Sequence, residues 1–370
     1  GMRYWEVVRM RDEIQSAIYE LEKERGISKE YIVTAIKEAF EVAYQQQYQK
    51  DNFLVKADTG TGLVRLFSRK TVVTKVTDSD TEITLKDARK VEPEAKVGDE
   101  VLVPVKIEQL PLPVIVKARK FIDDKIKERE NDLVYERFHS QVGTLVNGEV
   151  LRQNKEGLLI NLARCEGIMP KEQQIPGERL RFQGVAKALI LSVDKSPQGP
   201  RVVLSRAHPD FIQRLIELEV PEVGSGLVEI KRIVREPGQR AKVAVSSRDP
   251  KIDPVGAVIG PMGGRIRAVS REIAFEHIDV IRYDPNPLKY VVNAFSPAKV
   301  LDAQRREDGT FMVRAAPDVF PVALGKAGVN VRLVEQLVDA KVELVQSEEG
   351  QAPTAPTREA GETHEESTDL

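Results

Sequence analysis

Two strings of ten residues lie 65 positions apart and share one pattern. They are Val258-Ile259-Gly260-Pro261-Met262-Gly263-Gly264-Arg265-Ile266-Arg267 and Ala323-Leu324-Gly325-Lys326-Ala327-Gly328-Val329-Asn330-Val331-Arg332. Each reads apolar-apolar-Gly-x-x-Gly-x-polar-apolar-Arg. Their contexts match as well. The first follows strand-like runs at 226–235 and 240–246 and a helix near 254–259, and leads into a helix over 264–276 and a strand at 278–283. The second follows runs at 299–305 and 310–315 and a helix near 319–324, and leads into a helix over 329–338 and a strand at 341–345. A duplicated strand-strand-helix-loop-helix-strand unit restricts this half of the chain to two copies of one small α+β fold.

A Gly-x-x-Gly loop between helices is suited to holding a phosphate. The glycines permit a tight turn and close approach of another backbone. The helix that starts at the loop offers free N–H groups and the positive end of its dipole. One such loop is weak evidence, but two in the same context are the signature of tandem KH domains. A nucleotide P-loop needs Gly-Lys-Ser or Gly-Lys-Thr after a strand, and neither loop has it. The candidate RNA-binding residues are therefore Gly260, Pro261, Met262, Gly263, Gly264, Arg265 and Arg267 in the first unit. In the second they are Gly325, Lys326, Ala327, Gly328, Asn330 and Arg332. Pro261 lacks a backbone donor and Lys326 adds a cation, so the second loop is expected to be the stronger clamp. Aspartate at Gly263 or Gly328 is expected to leave the fold intact if neither glycine needs a positive φ. Between Pro221 and Arg271, ten basic residues face five acidic ones, a surplus suited to phosphate contact.

Ahead of the repeat the period of the pattern changes three times. Residues 5–50 read as helical, with Ser28 capping a helix whose Ile32, Ile36, Phe40 and Ala43 share a face. Short β-type runs follow at 53–55, 62–76, 82–85 and 101–105. Pro111 and Pro113 introduce a long, charged helix over 114–138 that spaces two domains. Residues 141–206 are all-β, with strands at 142–151, 157–162, 179–193 and 201–204; a small OB-type barrel is the leading fold and an SH3-like barrel the alternative.

Composition removes other classes. A single cysteine, Cys165, excludes an intramolecular disulfide framework. The four histidines are far apart with no metal-ligand spacing, so no metal and no cofactor are expected. No nucleophile-base pair stands out, and the chain reads as a non-enzyme. Without a signal core or an apolar run of about 18 residues, a soluble, cytoplasmic and monomeric protein is expected. Gly1 ahead of Met2 reads as a residue left by cloning. From Ser347 to Leu370 seven acids accompany one base, and this segment reads as a disordered acidic tail. The formal net charge is −2, so the remainder of the chain is positive.

The order of parts resembles the NusA family of bacterial transcription elongation and termination factors. The stretch from Glu219-Val220-Pro221-Glu222 through Arg235-Glu236-Pro237-Gly238-Gln239-Arg240 to Lys251-Ile252-Asp253-Pro254 is its most specific part, with Leu324-Gly325-Lys326 and Asn330-Val331-Arg332-Leu333 in the second unit. Glu166-Gly167-Ile168-Met169-Pro170 and Val203-Leu204-Ser205-Arg206 look like the OB fold of the ribosomal-protein S-one type. The resemblance implies a multidomain α+β protein. Its parts would be an N-terminal domain with connecting helix (1–140), an OB barrel (141–207), two KH domains of prokaryotic type II (208–295 and 296–346) and the tail (347–370). It implies partners in RNA polymerase core, nascent single-stranded RNA and other antitermination factors, with effects on pausing and hairpin-dependent termination. The alternatives are an RNA-decay or ribosome-associated RNA-binding protein, and an interaction scaffold with degenerate KH folds.

Overall fold

Ser28 accepts a hydrogen bond from the Tyr31 N–H at 3.3 Å and starts a helix, as its position before an apolar-periodic run requires. The computed structural model describes residue 16 and residues 18–347, so the expected acidic tail and the first residues of the chain lie outside it. The described residues form two compact units: 16, 18–137 and 195–200 make up one, and 138–194 with 201–347 the other.

In the first unit, helix α1 covers 18–25 and α2 is Lys29–Tyr48. Strands β1 (Phe53–Asp58), β2 (Leu63–Val73), β3 (Glu82–Thr84) and β4 (Glu100–Val105) form a sheet in which β2 pairs with each of the others. Helix α3 (Leu85–Val91) lies between β3 and β4, and α4 (Leu112–His139) follows. Ala39, Phe40 and Ala43 of α2 pack with Phe53, Val55 and Leu66 of the sheet and Val114 and Ala118 of α4. The sequence pattern extends a strand to Leu85. Instead Thr84 accepts from the Asp87 N–H at 3.2 Å, and this cap turns the chain into α3.

The second unit opens with a closed five-stranded barrel in the order β5-β6-β7-β9-β8. Its strands are β5 (Leu145–Gln153), β6 (Gly157–Asn161), β7 (Glu166–Pro170), β8 (Val185–Ser196) and β9 (Gly199–Ser205). Buried Val150, Ile160, Met169, Ile190 and Leu204 fill it. Residues 179–184, read as strand from sequence, are loop, and β8 starts at Val185. Cys165 sits, half-buried, in the turn before β7.

Two copies of one unit follow. The first has α5 (Pro209–Glu219), a short α6 (Pro221–Gly224), β10 (Val228–Glu236), β11 (Arg240–Ser247), α7 (Pro254–Ile259), α8 (Gly264–Glu272) and β12 (His277–Arg282). The second has α9 (Pro287–Ala294), β13 (Asp302–Arg305), β14 (Phe311–Ala315), α10 (Phe320–Leu324), α11 (Val329–Val338) and β15 (Val342–Gln346). In each sheet the middle strand is antiparallel to the strand before it and parallel to the last one. Each copy thus begins with a helix that the repeat in the sequence did not disclose. A domain boundary at 295 places residues 287–294 in the first copy, yet Val291 and Ala294 pack with Phe311, Val313 and Leu333 of the second.

The barrel and both copies share cores. Ile175 and Leu189 of the barrel lie in the cluster built on Phe211, Ile216, Val243 and Val269. Val234, Ala244 and Ile281 of the first copy lie in the cluster of the second. Two arginines fix the first junction. The Arg206 guanidinium donates to Glu178 Oε1 at 2.6 Å, to the Lys187 carbonyl, and to the Glu272 carbonyl at 2.6 Å. Arg235 and Glu276 form a bidentate pair with no side-chain exposure, and Arg235 also donates to the Arg206 carbonyl at 2.6 Å. Breaking such a pair by removing one partner costs about 3–5 kcal/mol, because the other charge stays buried. At the second junction the buried Lys242 ammonium donates to Asp279 Oδ2 at 3.0 Å and to the Ser296 carbonyl at 2.9 Å. Burial brings its pKa down to about 8, against the opposing pull of Asp279.

Candidate nucleic-acid interface

The two Gly-x-x-Gly loops have the same backbone. Gly260 has φ 73° and ψ 176°, and Gly325 has φ 76° and ψ 168°. The third residues, Met262 and Ala327, lie at φ 54°, ψ 25° and φ 53°, ψ 27°. Gly263 and Gly328 lie at φ 71°, ψ 17° and φ 74°, ψ 15°. The first glycine of each loop occupies a region essentially closed to residues with a Cβ. A Cβ on Gly260 would also come within 2.5 Å of Arg265 Cγ, and one on Gly325 within 2.8 Å of the Asn330 backbone N. The last glycine is different: Cβ atoms there would meet nothing closer than 3.8 Å at Gly263 and 3.4 Å at Gly328, so only the positive φ restricts it. The condition for aspartate at Gly263 or Gly328 therefore fails, since both glycines do sit at positive φ.

Helices α8 and α11 begin at these loops. Neither has a side-chain cap, and neither carries an acidic residue in its first turn. Their positive ends are thus not neutralised by their own side chains, which is the arrangement that attracts an anion. Gly263 N–H and Gly328 N–H each close the loop onto the carbonyl of the first glycine at 3.1 Å.

The candidate side chains divide into two groups. Pro261, Met262, Gly264, Lys326 and Ala327 are exposed, with Met262 at 90%. The Lys326 ammonium forms no hydrogen bond or ion pair among the described residues. The others hold the loops in place. Arg265 donates to Glu222 and to the Ala257 carbonyl, both at 2.8 Å. Asn330 is fully buried and donates to the Ala323 carbonyl at 2.9 Å. Arg267 and Arg332 donate to the carbonyls of Met262 and Ala327, bracing the positive-φ residue from the helix side. Arg332 also grips Glu236 of the first copy, at 2.9 and 3.1 Å, which the sequence could not indicate across 96 positions. The hydrogen bond to Glu236 raises the Arg332 pKa.

The basic surplus in the first copy shrinks on folding. Arg235, Arg240, Lys242 and Arg265 are paired with carboxylates, and Lys231 and Arg248 share Glu229. Arg232, Lys251, Arg267 and Arg271 stay exposed without an ion-pair partner among the described residues.

Comparison with known proteins covers the same parts. Residues 13–132 match the NusA N-terminal domain, 206–283 the NusA-like first KH domain and 287–352 the NusA-like second KH domain. The transcription termination/antitermination protein NusA of Thermus thermophilus is 36% identical over 372 residues, covering 96% of this chain and 95% of its own length. This chain belongs to the NusA family. The NusA proteins of Bacillus subtilis and Halalkalibacterium halodurans are each 35% identical, over 337 and 344 residues, and at least 90% of both chains is covered in each comparison. Both are likewise named transcription termination/antitermination proteins. The family includes RNA-binding KH domains and a role in transcription, and none of these names carries a reaction. The NusA N-terminal match over 13–132 tells against the RNA-decay alternative. Among the described residues no helix is long and apolar enough to cross a membrane.

Proposed function

We propose that this protein is a transcription elongation, termination and antitermination factor. It acts by holding nascent single-stranded RNA on the second unit while residues of the first unit bind RNA polymerase core. The observation that supports this most is the pair of backbone-matched loops, each feeding an uncapped helix N-terminus, in a chain of the NusA family. The two loops bind phosphates, and Lys326 adds one mobile charge. The barrel lies against the first loop unit through Arg206 and Arg235, so both RNA-binding parts move together. The work is binding rather than bond chemistry. The proposed division is an N-terminal polymerase-binding domain, a barrel and two KH domains, in a cytoplasmic monomer that other antitermination factors join.

Two measurements test the reading. Immobilised full-length protein should capture RNA polymerase core, and the capture should survive RNase. Filter binding at two salt concentrations should retain an unstructured single-stranded RNA, more weakly at the higher salt. Polymerase that fails to bind, or leaves on RNase treatment, overturns the polymerase half. RNA that is not retained at low salt overturns the other half and leaves the scaffold reading.

A further inference from the structure

Helix α8 has the first clamp at its N-terminal end and an unexplained aromatic just beyond its other end. Ala274 and Phe275 are consecutive residues at φ 56° and 61°, a conformation that bulky side chains rarely adopt. The turn is held rigidly. Phe275 N–H donates to the Ser270 carbonyl at 2.8 Å, Ser270 Oγ donates to the Glu276 carbonyl at 2.7 Å, and the Glu276 carboxylate is locked in the buried pair with Arg235. Yet the ring is 76% exposed and makes no ring or cation contact among the described residues. Neither backbone preference nor core packing accounts for a phenylalanine here, and strain combined with rigid presentation points to a binding role.

The surroundings favour nucleic acid as the occupant. Arg271 is exposed and without an ion-pair partner among the described residues, while Glu272 and Glu276 are taken up by Arg206 and Arg235. The turn lies where the barrel meets the first KH unit, since the Glu272 carbonyl accepts from Arg206, which also holds Glu178 of the barrel. The barrel loop that supplies Glu178 presents a second exposed ring, Phe182, at 58%. From Gly264 to Glu272 the helix spans about 13 Å at ~1.5 Å per residue.

We propose that Phe275 is a stacking platform for an unpaired base of single-stranded RNA, placed where the barrel meets the first KH unit and on the same helix as the first clamp. This rests on the RNA-binding reading above. Stacking on an aromatic face is tolerant of sequence and largely independent of salt, unlike a phosphate contact.

The test uses the full chain and an unstructured RNA of roughly 16 nucleotides, long enough to leave the loops. Phe275→Gly removes the ring and relieves the positive φ, so its melting temperature should hold or rise. Its RNA affinity should drop at least about five-fold, by the same factor at low and high salt. Phe275→Trp should restore affinity, and its fluorescence should change on adding RNA; Trp5 is the only native tryptophan. Unchanged affinity in Phe275→Gly, with Ala327→Asp still weakening binding, overturns the platform and leaves RNA binding intact. A loss confined to polymerase capture also overturns it and makes the ring a protein contact. If the wild-type chain retains no RNA, the platform falls with the reading beneath it.

Discussion

The loop at Gly260–Gly263 and the loop at Gly325–Gly328 agree in backbone angles to within about 10°, yet they differ in nearly every side chain that could meet a ligand. The first loop has Pro261 and an exposed Met262, with Arg267 beside it holding no carboxylate. The second has the exposed Lys326 and the small Ala327, with Arg332 committed to Glu236. The glycines and the bracing arginine define the shape. The two middle residues and the partners of the arginine set the charge. Shape and affinity are therefore separable here, and a variant can be chosen to move one without the other.

The largest effect is expected on shape. Gly325→Ala should destabilise the protein by about 3 kcal/mol in urea unfolding, from an unfavourable backbone region and a clash with the Asn330 backbone. Gly260→Ala should cost about as much, because its Cβ would meet the root of the Arg265 side chain, within 2.5 Å of Cγ and 2.9 Å of Cβ, and Arg265 is held by Glu222 and the Ala257 carbonyl. A much smaller cost at either glycine would mean that its loop relaxes around the added methyl. Next come the middle residues, whose αL conformation suits aspartate. Ala327→Asp should weaken RNA binding about ten-fold, as expected when a charge-assisted contact is replaced by repulsion, and Met262→Asp should weaken it less. The reverse order would make the first loop the principal clamp despite its proline. A smaller change is expected from Lys326→Ala, which should reduce the slope of log affinity against log salt by about one; an unchanged slope would remove Lys326 from the phosphate.

The smallest effect concerns the sheets behind the loops. Lys242 pairs across the sheet with Asp279, where the second copy has Val313 opposite Leu344. Its folded pKa of about 8 lies below the ordinary lysine value of 10.5. Between these values the unfolded chain binds the proton and the folded one does not, so this group makes stability rise with pH over that window. Lys242→Met should lack that slope, and at pH about 9 its unfolding should take up nearly one proton fewer. Identical pH profiles would show that Lys242 titrates normally.

The repeat, both pairs of loop-flanking helices and α11 to the residue were legible in sequence, because glycine spacing and helical period are local signals. What escaped was non-local or was set by capping. Helix α3 depends on Thr84 and Asp87 after a β-type run. Helices α5 and α9 precede the repeated string; each begins with a capping residue followed by proline, His208-Pro209 and Asn286-Pro287, a start signal that lies outside the repeat. For the site, the exposed loop residues were legible, whereas the burial of Asn330 and the pairing of Arg265 and Arg332 were not. The carboxylates that hold the two arginines are remote: Glu222 lies 43 positions from Arg265 and Glu236 lies 96 from Arg332. Charge counting failed for the same reason, since Arg235 and Lys242 look like surface bases until Glu276 and Asp279 are seen beside them.

The Arg206–Glu178–Glu272 junction and the core shared by the two KH units mean that no flexible linker separates the RNA-binding parts. Once one loop holds an RNA, the other meets the same strand at an effective concentration set by a fixed distance rather than by a random coil. On the proposed function such an arrangement would work as a ruler. RNAs too short to reach from one loop to the other gain only a single contact, and longer ones gain avidity in a single step. The discrimination would then be by length and absence of secondary structure before any base is read.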